Sequence, residues 1–153
     1  MRNHIKSFIF LLAIILLATQ VFAQYSYVPF YGKNKVQYTN FKWNTYKTDH
    51  FSIYYYVENP QILKYIAEMA ESSYQRISSD VKHSLSAEVP LIYYKTYTDF
   101  EQTNLLPASE GILGVSEPTL YRVIVYGDMT LDQMQSLIEH ELSHIFQFDL
   151  LFG

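Results

Sequence analysis

The stretch LYRVIVYGDMTLDQMQSLIEHELSHIFQFD, residues 120–149, runs from a strand through a turn into a capped helix. Residues 120–126 are β-branched and aromatic, and Gly127-Asp128 closes the run, which predicts a strand. Thr130 follows as an N-cap with Gln133 three residues on, the pattern of a capping box. Met129 and Met134 are spaced as a hydrophobic staple across that helix start. Leu131, Met134, Ile138, Leu142 and Ile145 then recur at helical spacing and define the expected core face.

Inside this helix stands His140-Glu141-Leu142-Ser143-His144, the pattern H-E-x-x-H. Residues four apart share a helix face with ~6 Å of rise between them, so two imidazoles can converge on one ion. Glu141 is turned roughly 100° from His140 and His144 roughly 40°, so all three project into one arc. A zinc ion held there lowers the pKa of a water toward ~7 and polarises a scissile carbonyl. Glu141 would take that water's proton and relay it to the leaving amine. The expectation is zinc on His140 and His144, with Glu141 as catalytic base; the competing reading is a pair of surface or capping histidines. A third protein ligand is required. A metzincin continuation would place Gly at 147 and His at 150, but the chain has Gln147 and Leu150, which excludes that class. Asp149 is turned roughly 140° from His144, a poor aim for a ligand. Glu110 and Glu117 precede the helix and could reach it only through an unusual fold.

Upstream, residues 51–57 (FSIYYYV) alternate as a strand, with Phe51, Ile53, Tyr55 and Val57 on one face. Asn59-Pro60 is a helix start, and Leu63, Ile66, Ala67, Ala70, Tyr74, Ile77 and Val81 follow at spacings of three and four. Residues 89–97 and 111–117 read as two further strands. Residues 24–48 are aromatic and irregular, read as extended segments and turns whose rings cover one face of a domain. The fold class expected is α+β, with a mixed sheet packed against a long amphipathic helix and the zinc-site helix. His50, just before the first strand, is expected to have a surface or hydrogen-bonded role. His83 is expected to favour the C-terminal dipole of the long helix.

Composition narrows the function classes. The 153 residues are 49% apolar and 17% charged, which excludes a mainly disordered chain. The net charge is −4 and there is no basic block, so a nucleic-acid partner is not expected. The absence of Cys excludes thiol catalysis, disulfides and thiolate zinc sites. Arg2 and Lys6 lead into an apolar run over residues 8–18, with Val21 and Ala23 at the −3 and −1 positions of a cleavage site. At ~20 residues needed to span a bilayer the run is short, so residues 1–23 are expected to be a signal peptide and the mature chain to begin at Gln24. The expected destination is periplasmic, cell-envelope or secreted.

Several segments together resemble a known family. They are residues 31–38 (YGKNKVQY), residues 48–55 (TDHFSIYY), Tyr94-Lys95-Thr96 with Asp99-Phe100, residues 110–118 (EGILGVSEP) and residues 140–149 (HELSHIFQFD). The order of elements resembles the N-terminal half of a gluzincin metallopeptidase. More narrowly, the segments resemble the peptidase-MA-like domain at the front of large exported bacterial proteins with Tol-B-like β-propeller repeats. The resemblance implies zinc on His140 and His144, Glu141 as base, and a peptide or protein substrate. It implies a substrate strand made by Gly111, Ile112, Leu113, Gly114, Val115, Ser116 and Glu117, on which an extended peptide adds by β-strand pairing. It also implies a glutamate ligand from a following helix, beyond Gly153, and envelope or outer-membrane association through a C-terminal propeller. On this reading residues 24–153 are the N-terminal part of a truncated domain, expected to bind zinc weakly and to cleave little. Two other functions stay open: a non-catalytic N-terminal module of a propeller-bearing envelope protein, and a carbohydrate-binding module built on the aromatic segment.

Overall fold

The structure is a computed structural model that describes residues 37, 39–103 and 114–153. The expected signal peptide, its cleavage point, and Glu110, Gly111, Ile112 and Leu113 lie outside the described residues. In chain order the elements are β1 (Asn44–Lys47), β2 (Phe51–Tyr55), α1 (Pro60–Val81), β3 (Val89–Tyr94), α2 (Tyr97–Glu101), β4 (Gly114–Glu117), a 3-10 turn (Pro118–Leu120), β5 (Arg122–Tyr126) and α3 (Leu131–Phe152). The fold is α+β. Its mixed five-stranded sheet has the order β1-β2-β3-β5-β4. β2, β3 and β5 run parallel, while β1 and β4 are antiparallel strands at the two edges.

Local signals place each helix. The Asn59 side chain accepts from the amides of Gln61 at 3.1 Å and Ile62 at 3.3 Å, and Pro60 opens α1 where its missing N–H costs nothing. The helix ends where Lys82 turns into the left-handed region at φ 52° and its amide bonds the Ser78 carbonyl. At the start of α3 the capping box is formed. The Gln133 amide donates to Thr130 Oγ1 at 3.3 Å, and the Thr130 amide donates to Gln133 Oε1 at 2.9 Å.

One sheet face meets both long helices. Phe51 and Ile53 of β2, Val89, Leu91 and Tyr93 of β3, and Val123 and Val125 of β5 enclose a core with Leu63, Ile66, Ala70 and Tyr74 of α1 and Met134, Leu137, Ile138, Leu142, Ile145 and Phe146 of α3. Two residues expected on the core faces are not buried. Val81 ends α1 and Leu131 begins α3, and both are more than two-fifths exposed. Their angular positions are right, but the terminal turns are left uncovered. The helices are tied to each other by an Arg76–Glu139 ion pair and by Gln135 Nε2 donating to Ser73 Oγ at 2.9 Å.

The other sheet face carries a second cluster of Phe100, Ile124 and Tyr126, with Ile92, Tyr94, Tyr97 and Val115 against it. Phe41 and Trp43 pack there on Tyr56 and Tyr94, with ring centroids 4.5 Å apart for Phe41 and Tyr56. Part of the aromatic segment therefore covers a face, as its composition implies. Another part, Asn44–Lys47, pairs with β2 as a strand, because Thr45 and Tyr46 find Tyr54 and Ile53 as partners only in the folded sheet.

Ile138 is fully buried between the sheet and α1, so Ile138→Ala should destabilise the fold by ~3 kcal/mol. Urea unfolding should show a lower midpoint at unchanged slope. A loss below ~1 kcal/mol would mean that α3 does not pack as described.

Candidate metal centre

His140, Glu141 and His144 occupy adjacent turns of α3, between its tie to α1 and its C-terminal end. The two imidazoles stand edge to face, with Nε2 atoms 3.3 Å apart. Two zinc-bound nitrogens at ~2.05 Å in tetrahedral geometry are separated by roughly 3.3 Å, so the donor pair fits one ion as it stands. Both histidines are exposed, so an ion has direct access from solvent. Glu141 is different: it is only 8% exposed. Among the described residues no hydrogen bond engages its carboxylate, and no fully buried side-chain oxygen lacks a partner, so its oxygens reach solvent. The carboxylate thus lies at the border between the open histidine face and the core.

Strand β4 supplies the neighbouring wall. It is the outermost strand and, among the described residues, pairs only with β5. A Cβ at Gly114 would stand 3.1 Å from Leu137 Cδ1 and 3.1 Å from the Ile124 carbonyl oxygen, so a side chain here would require Leu137 to shift by a few tenths of an ångström. Glu141 is one helical turn beyond Leu137 on the same stripe, which directs it to the β4 side of α3. Of the strand implied to bind substrate, Gly114, Val115, Ser116 and Glu117 form this edge.

No group of three His, Cys, Asp or Glu side chains able to hold a metal is present among the described residues. Of the acids considered as third ligands, Glu110 lies outside the described residues, and the other two are otherwise engaged. Glu117 lies opposite Arg122 in the β4–β5 pairing and accepts from its Nε at 2.6 Å. Asp149 is 4% exposed and is fully occupied. It accepts from His83 Nε2 at 2.7 Å, Ser86 Oγ at 2.8 Å, the Ser86 amide at 3.3 Å and the Tyr121 hydroxyl. Burial alone would raise its pKa, but the Tyr121, His83 and Ser86 donors outweigh that and hold it at about 2.

His50 and His83 are also placed. His50 Nδ1 lies 2.7 Å from Glu71 Oε2 and its ring stacks on Tyr74 at 3.7 Å, a hydrogen-bonded role away from the metal pair. His83 reaches across to Asp149. Sequence reasoning assigned it to the helix dipole and missed this partner. The available signal was Asp149 itself, a charged residue seven positions after Leu142 on the apolar stripe, which buries only with donors around it.

Compared with protein-family models, with curated proteins and with solved structures, the chain matches none. Among the described residues no helix is long and apolar enough to cross a membrane.

Because the Asp149 value of about 2 lies below the ordinary 3.8, the unfolded chain takes up that proton first as pH falls. Its stabilisation is therefore complete above 3.8 and is lost as pH falls through about 2. Asp149→Asn should be less stable than wild type at neutral pH, with the gap closing in acid. A gap that stays constant in urea unfolding down to about pH 2 would show that the carboxylate charge is not what holds this cluster.

Proposed function

We propose that this chain carries the metal-ligand helix and general base of an exported zinc-dependent peptidase of gluzincin type, resembling the peptidase-MA-like domain. What supports the reading most directly is the His140–His144 pair, with Nε2 atoms at a separation that suits two ligands of one tetrahedral ion. Zinc, when bound, supplies a Lewis acid for the scissile carbonyl and acidifies water at neutral pH. His140 and His144 would hold it through Nε2. Glu141, low in exposure yet open at its carboxylate, accepts a proton from the attacking water and delivers it to the departing amine nitrogen.

Among the described residues β4 pairs only with β5, so its other edge would offer backbone N–H and C=O groups to an extended chain, which makes an unfolded peptide segment the natural substrate. Gly111, Ile112 and Leu113, which the resemblance includes in the substrate strand, belong to the same proposal. The reading requires a third protein ligand in addition to the two histidines. Envelope or outer-membrane association through a propeller belongs to the same proposal.

In zinc titrations of the full chain, His140→Ala and His144→Ala should each lower affinity by about tenfold or more. Acidification should weaken binding, since protons compete for the imidazole nitrogens. Glu141→Gln should leave zinc affinity near wild type, because the base is not a ligand, and should remove whatever slow cleavage of an unstructured peptide the zinc-loaded chain performs. Unchanged zinc affinity in both histidine variants would end the proposal.

A further inference from the structure

The described chain contains two non-glycine residues with positive φ, Lys82 at 52° and Tyr121 at 53°. Side chains beyond Cβ rarely adopt this conformation, so each needs surroundings that hold it. Both stand at entries to one cluster. Lys82 turns the chain out of α1 into the segment that presents His83 and Ser86, and Tyr121 ends the connection between β4 and β5. His83, Ser86 and Tyr121 all converge on the carboxylate of Asp149, in the last turn of α3. Ser86 Oγ and the Tyr121 hydroxyl lie 3.0 Å apart, and with the one proton of each given to the acid they share Asp149 Oδ1 as acceptor. The segment is fixed again by the Leu85 amide donating to the Tyr74 hydroxyl at 3.1 Å.

The cluster therefore bonds the helix bearing the histidine pair to the end of the hairpin whose outer strand is β4. Toward its other end the same helix is held to α1 by Arg76–Glu139 and Gln135–Ser73. The histidines lie between the two attachments. From this arrangement we infer that Asp149 is a positioning residue: with Tyr121 it sets how β4 stands relative to the His140–His144 pair, and so how a peptide on the strand meets the metal. The inference rests on the metallopeptidase reading for its consequence, but the mechanical link between strand and helix can be tested apart from it.

The test uses the full chain with zinc alone as ligand, and compares wild type with Tyr121→Phe and Asp149→Asn. Amide hydrogen exchange is followed over β4 (Gly114–Glu117), over α3 and over β2 (Phe51–Tyr55), alongside zinc affinity. Tyr121→Phe removes one hydroxyl and nothing else, and should speed exchange in β4 by about tenfold while β2 keeps its wild-type protection. Asp149→Asn should loosen both β4 and the end of α3, and should weaken zinc binding where Tyr121→Phe does not. A merely structural anchor would change α3 alone. Wild-type exchange in β4 in the Tyr121 variant, or an equal loss of protection in all three segments, overturns the inference. If Asp149→Asn does not fold, the Tyr121 variant decides. Wild-type protein that binds no zinc through His140 would defeat the metallopeptidase reading, while the exchange in β4 would still support or overturn the link.

Discussion

The burial of one face of α3 against the sheet and α1 is the constraint on which the candidate site depends. Met134, Ile138, Leu142, Ile145 and Phe146 are all but inaccessible to solvent. Each such side chain contributes roughly 1.5–3 kcal/mol when removed from water. Turning the helix by one residue, roughly 100°, would expose much of that surface and push an imidazole into the core. The outward aim of His140 and His144 is thus set by residues that never touch a metal, and Glu141 comes to the border because it neighbours both faces.

Sheet topology adds what the helix alone lacks. β2, β3 and β5 are interior parallel strands, and their apolar side chains alternate between two covered faces. β4 returns antiparallel beyond β5 and becomes an edge beside α3. Gly114 leaves room there for Leu137. The candidate site assembled this way has the sheet beneath it, the histidine-bearing helix and a strand that, among the described residues, pairs on one side only, built from elements whose positions are fixed by packing on the other side of each.

Polar contacts complete the placement of α3. Arg76–Glu139 and Gln135–Ser73 act between two helices that the apolar core already brings together. Asp149 does something else. It buries a charge and surrounds it with donors from two separate stretches of chain, an arrangement that is costly to leave half made. Such a cluster specifies one docking of the α1–β3 segment and the β4–β5 hairpin against the helix, where apolar packing would tolerate several.

Periodicity and capping chemistry are local, and they were legible. Asn59-Pro60 and Thr130 with Gln133 mark helix starts through bonds made within a few residues. The spacing from Leu63 to Ile77 and from Met134 to Ile145 shows which faces are buried, and His140 and His144 share a face by helix geometry alone. Burial at helix ends was not legible, because the exposure of Val81 and Leu131 depends on whether another element reaches the terminal turn. Residues 24–48 read as extended segments and turns, but which of them is a strand was not legible: Asn44–Lys47 becomes one by pairing with β2. His83 and Asp149 are 66 positions apart, and no local pattern joins them. Residue chemistry and local period therefore determined the two long helices, most of the strands and the shared face of the histidine pair, but not the short helix α2, which begins at Tyr97 where the strand reading still ran. The order of the strands, the edge position of β4 and the partners of Asp149 were decided by tertiary packing, since these depend on contacts between segments far apart in the chain.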